Sequence, residues 1–260
     1  LRKPQVLGHY EYAYGQRTGL PAHYGKGFRG FFNDSLEFRV KRLGVEDILG
    51  EFAARRGYDL EPLLPAIYIE GKDSVYFREI VGIHAAPEFA LTPLDERIRH
   101  DYQKTLSDLV IERFVEASAA WAAQRGLVSR GQSYGMDLDI LRALGANTIP
   151  ETEQLWAGGS DLGLKFASSA AALYGRPLVS AESFVWIQRD WSTTARKLKA
   201  ASDKLLLAGA IPAAVLALTS YAHGYAVLWA GLTATGLLLC DPVRERPVGT
   251  GSASGHPGGT

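Results

Sequence analysis

Apolar positions recur along this chain at two different periods. Val45, Ile48, Leu49 and Phe52 lie three and four residues apart, which predicts an amphipathic helix that stops at Gly57. Thr92 precedes Pro93 with Asp95 three positions on, so an N-cap, a proline at the first helical position and an acidic first turn coincide. From there Ile98, Tyr102, Leu106, Leu109, Val110, Phe114, Ala117 and Trp121 form one stripe ending at Gly126, which predicts a helix of about 30 residues.

Short apolar runs that turn polar alternate with these helices. Val6-Leu7-Gly8-His9 and Phe28 to Ser35 both read as strands, and Gly15, Gly19, Pro21, Gly25 and Gly27 mark a loop between them. The segment 58–94, with Pro62, Pro65, Pro87 and Pro93, reads as an excursion from the main scaffold. Leu127 to Ser129, Asn147 to Pro150 and Pro177 to Ser180 are three more strand candidates. They are separated by helical patterns at 137–144 and 160–174 and followed by one at 192–207. Strands separated by helices imply a parallel sheet, because parallel neighbours need crossover connections. Polar residues follow each strand, as at the C-terminal face of a TIM-type (β/α)8 barrel. An open doubly wound sheet gives the same alternation, and periodicity leaves both open.

The end of the chain is different. Ile211 to Cys240 contains no Asp, Glu, Lys or Arg, which meets the length rule for a membrane span. Pro212, Ser220, His223 and three glycines interrupt it, so a membrane location is not expected. The alternatives are buried barrel strands and helix, or sequence that packs poorly. The expected organisation is a barrel domain over 1–242 with an irregular C-terminal part, then a disordered tail over 243–260.

Composition narrows the function classes. With 28 basic and 28 acidic residues the chain has no basic footprint, so nucleic acid is not an expected partner. The single Cys240 excludes an internal disulfide framework and a cysteine metal cluster. The chain opens Leu1-Arg2-Lys3-Pro4 without Met or an apolar leader, so its natural N-terminus is expected to lie elsewhere. Nucleotide-binding glycine patterns, HExxH, GxSxG and CxxC are all missing. Nothing in the sequence speaks to oligomeric state.

The acidic residues that follow apolar strands are Asp34 with Glu37, Glu151 with Glu153, and Glu182. Glycosidic hydrolysis needs one protonated carboxyl to give a proton to the leaving oxygen and one carboxylate to activate water or attack carbon. Glutamates at the ends of different strands can face each other across a barrel mouth, where unequal burial splits their pKa values. Glu151 and Glu153 share parity if extended, but Pro150 is equally compatible with a helical start there. Arg130, Gln132 and Tyr134 offer hydrogen bonds to sugar hydroxyls. Trp156, Trp186 and Trp191 offer ring faces, and His223 could line the mouth. Asp34 and Glu37 with nearby carbonyls could serve a hard cation. Each of these residues also has an ordinary structural reading as a cap, ion-pair or core residue.

Taken together, these stretches resemble a known family. Asn33-Asp34-Ser35-Leu36-Glu37, the run from Glu51 to Pro65, Asp101-Tyr102 and Thr105 to Leu109 are similar to the α-L-rhamnosidases of glycoside hydrolase family 106. So are Trp121 to Leu127, Ser129 to Gly135, Ile149 to Glu153, Ser180 to Phe184, and Lys199 with Asp203. The resemblance spans about 28–210 and implies a (β/α)-barrel that removes terminal α-L-rhamnose by inverting hydrolysis, with calcium near the sugar. It also implies a bacterial periplasmic or secreted location. On that basis Glu37 is expected as general acid and Glu182 as the base that activates water. Glu153 or Glu151 is expected as a sugar or calcium ligand, and Asp34, Arg130, Gln132, Tyr134, Trp186 and His223 as substrate contacts. The similarity fades after Gly209, which suggests a truncated or altered frame, and a non-catalytic carbohydrate-binding barrel fragment is the alternative.

Overall fold

A computed structural model of the chain describes residues 1–36, 44–68, 90–155, 161–185 and 194–209. Glu37, Trp156, Trp186, Trp191, His223 and the segments 211–240 and 243–260 lie outside the described residues.

The first element corrects the sequence reading. Residues 6–9 are not a strand but lie within helix α1 (Lys3–Tyr14). Pro4 sits in the first turn, where its missing N–H costs nothing. Val6, Tyr10 and Tyr14, four apart, share one face that packs on Phe31 and Trp121. Four residues containing a glycine carry too little periodicity to separate the two outcomes.

Strand β1 (Gly30–Asn33) follows, then α2 (Ile48–Arg56), which ends as expected on Gly57 in the left-handed region at φ +80°. After the short α3 (Leu64–Tyr68), the long helix comes in two parts, α4 (Asp95–Val110) and α5 (Glu116–Ala123), joined by a π turn at Ile111–Val115. Its start differs from the expected Thr92 cap. The Asp95 carboxylate turns back to accept from the Leu91 and Thr92 N–H groups at 2.7 and 2.9 Å. The Thr92 hydroxyl accepts from Leu94 N–H at 3.1 Å, so the pair orders the approach to the helix.

The expected alternation then runs through β2 (Val128–Gly131), α6 (Ile140–Ala146), β3 (Ile149–Leu155), α7 (Asp161–Leu173), β4 (Ser180–Val185) and α8 (Ala195–Leu207). Asp139 and Thr194 cap α6 and α8. The four strands form one parallel sheet in the order β1-β2-β3-β4. Each described strand pairs with its sequence neighbour, as along a barrel wall, without the reversal that marks a doubly wound sheet.

Strand faces divide by parity. Phe31, Thr152 and Ala181 face the helices. Phe31 joins the cluster with Trp121 and Leu127, Thr152 donates to the Gly163 carbonyl in α7, and Ala181 packs with Leu164, Ala167 and Leu205. The opposite face carries Phe32 and Arg130 in register, Glu151 opposite Ser180, and Glu153 opposite Glu182. All three glutamates therefore lie within strands rather than beyond them, and the extended backbone at 151–153 removes the helical alternative.

Candidate active site

The site grows from the C-terminal ends of β2, β3 and β4. Past Gly131 the chain stays paired to the segment after β1: Gln132 N–H donates to the Asn33 carbonyl at 3.0 Å, and Leu36 N–H donates to the Tyr134 carbonyl at 2.7 Å. Gly135 makes this approach possible, because at φ +94° a Cβ would lie 3.1 Å from the Leu36 backbone. The buried Asn147 amide donates to Ser133 Oγ at 2.8 Å and holds the same segment from below. Gln132 and Tyr134 are thus presented by an ordered turn, on the parity of Arg130.

Glu151 is buried at 2% exposure. Its Oε2 accepts from Ser180 Oγ and lies 2.8 Å from Arg130 Nε, an ion pair by distance that is not aligned as a hydrogen bond. The Arg130 guanidinium, also buried, stacks over Phe32 at 4.3 Å. Burial raises the Glu151 pKa, and the Glu182 carboxylate adds to the rise; Arg130, Ser180 and Gln132 pull it down.

Gln132 joins two strands. Its amide Nε2 donates to Glu151 Oε1 at 3.1 Å and to Glu182 Oε2 at 2.8 Å. Because both oxygens touch one nitrogen, they lie within about 6 Å of each other. Gln132 is itself buried, and its Oε1 has no hydrogen-bond partner among the described residues.

Nearer the strand ends, Glu153 and Glu182 stand opposite one another and are partly exposed. Tyr134 donates its hydroxyl to Glu153 Oε2 at 3.2 Å. Burial drives the phenol pKa well above its ordinary value, and the carboxylates of Glu153, Glu151 and Glu182 push in the same direction, so Tyr134 stays a donor.

Of the residues singled out from sequence, Arg130, Gln132, Tyr134, Glu151, Glu153 and Glu182 come together. Asp34 is exposed after β1, where it accepts from the N–H of Ser35 at 2.8 Å. Ser180 was not anticipated, although its parity with Glu182 was the available signal. No group of three His, Cys, Asp or Glu among the described residues could hold a metal ion. Both Glu151 oxygens are already engaged, by the Gln132 amide on one side and by the Ser180 hydroxyl and Arg130 guanidinium on the other. Among the described residues no helix is long and apolar enough to cross a membrane.

The sequence pattern of a family described as alpha-L-rhamnosidase matches residues 4–220, reaching beyond both ends of the 28–210 stretch that carries the resemblance. A rhamnosidase from Novosphingobium sp. PP1Y has a similar structure, with a TM-score of 0.65 and 22% identity over 92% of this chain. This chain spans 24% of the length of that protein. No curated protein matches the chain.

Proposed function

The chain belongs to the α-L-rhamnosidase family, and from that premise we propose that it carries the carboxylate site of a glycoside hydrolase that removes terminal α-L-rhamnose. The observation that carries the reading is the convergence of Glu151, Glu153 and Glu182 on one sheet face, tied by Gln132 and Tyr134. A parallel sheet that presents polar side chains at its C-terminal edge is the usual seat of barrel catalysis. In this proposal the four strands are the first half of a (β/α)8 barrel domain spanning 1–242.

The proposed chemistry is inverting. A water oxygen attacks the anomeric carbon as the glycosidic C–O bond breaks, a carboxylate takes the water proton, and a carboxylic acid gives its proton to the departing oxygen. Glu182 is proposed as the base, since it is partly exposed and oriented by a donated hydrogen bond. Glu37 is proposed as the acid, and Glu153 with Tyr134 as sugar contacts. Glu151, buried and saturated by its neighbours, supports the others.

Hydrolysis of an aryl α-L-rhamnoside by wild type, Glu37→Gln and Glu182→Gln, each with and without a calcium chelator, tests the reading. Wild-type turnover releasing β-L-rhamnose first, with each variant slower by at least about 100-fold, is the expected result. Rhamnoside binding without turnover, indifferent to Glu182→Gln, would instead make this a carbohydrate-binding barrel.

A further inference from the structure

The Gln132 amide has two N–H bonds, and each is spent on a carboxylate from a different strand. A side chain so committed, and only 1% exposed, has no donor left for a sugar hydroxyl. Its orientation is dictated as well. Turning the amide over would set its carbonyl oxygen against two carboxylates and lose both donated bonds. One of those carboxylates is in turn immobilised, because Glu151 is gripped by Arg130 and Ser180 at the bottom of the site. The other, Glu182, is partly exposed at the strand end.

Rigid groups below and an accessible carboxylate above define a direction of support. We propose that Gln132 is a positioning residue that fixes the Glu182 carboxylate, with the Arg130–Glu151–Ser180 cluster as the anchor that fixes Gln132. The inference rests on the reading of Glu182 as a reacting carboxylate, and it replaces the expectation that Gln132 and Arg130 contact the sugar.

A hydrogen bond donated to an ionised carboxylate lowers its pKa, so removing it moves the titration upward. The test uses the full chain with glutamate carboxyl carbons labelled with carbon-13, and the Glu182 signal identified by its loss in Glu182→Gln. Gln132→Leu removes the amide. Gln132→Asn keeps an amide too short to span both carboxylates, and it carries the test if the leucine variant does not fold. In both, the Glu182 midpoint is expected to rise by about one pH unit, and kcat on an aryl α-L-rhamnoside to fall about 100-fold with little change in KM.

A Glu182 midpoint that stays in place in a folded variant overturns the proposal. So does a rise in KM at constant kcat, which would make Gln132 a sugar contact. The titration needs no turnover, so the two readings fail separately. A moved midpoint in a protein that hydrolyses nothing removes the hydrolase reading and leaves the positioning role.

Discussion

Glu151 and Arg130 are each buried beyond nine-tenths, and neither is tolerable there alone. Replacing Glu151 by Ala removes the partner altogether and leaves the guanidinium buried and unpaired, with an expected loss of about 3 kcal/mol. The pH dependence runs opposite to that of most ion pairs. Burial raises the Glu151 pKa above its ordinary value of 4.5, so between that value and the raised one the folded protein binds more protons than the unfolded chain. Wild type therefore gains stability relative to Glu151→Ala as pH falls into this window, and loses it as pH rises through the folded pKa. Urea unfolding of both proteins at a series of pH values from neutral down toward 4.5 should show the gap widening toward acid. A gap that narrows would mean that the Arg130 contact outweighs burial.

The elements were legible where apolar spacing was sustained. The stripe from Ile98 to Trp121 became one continuous helical run, and Gly57 ended α2 as its position implied. The short buried strands also declared themselves, although β3 and β4 extend past the expected polar boundary because their glutamates point inward at a site rather than out to solvent. The six residues that converge were individually visible from sequence. Their partnership was not, since one nitrogen reaching two carboxylates depends on the register of three strands. The opening helix was the clearest misreading, and it carries its own test. Gly8 lies exposed within α1, and a Cβ there would meet nothing within 4 Å. Gly8→Ala should then stabilise the protein by roughly 0.5 to 1 kcal/mol, read as a raised urea midpoint at constant m-value. A strand over 6–9 would gain no such benefit.

Across the whole molecule, the sheet is least supported at its centre. β1 pairs with β2 through four residues, whereas β2 meets β3 only at Arg130↔Ile149 and Gly131↔Pro150, and Pro150 has no N–H to give. Side chains bridge this gap. Ser129 N–H reaches Thr148 Oγ1 at 3.3 Å, and Thr148 N–H donates to Ser129 Oγ at 3.1 Å. Further along, Arg130 and Gln132 on the β2 side grip Glu151 on β3. The two halves also have separate cores, Tyr10, Phe31, Trp121 and Leu127 on one side and Leu144, Leu164, Ala167 and Val179 on the other. The candidate site thus adds polar contacts to the joint between two sub-structures, beside the Arg142 ion pairs to Asp108 and Glu116 that tie α6 to α4 and α5. Ser129→Ala combined with Glu151→Ala should uncouple them. In wild type, hydrogen exchange under mild denaturant should open the amides of β1 and β2 together with those of β3 and β4. In the double variant the two pairs should open at different free energies, separated by at least about 1 kcal/mol. If both pairs still open together, the backbone and helix packing hold the halves, and the polar side chains serve the site alone.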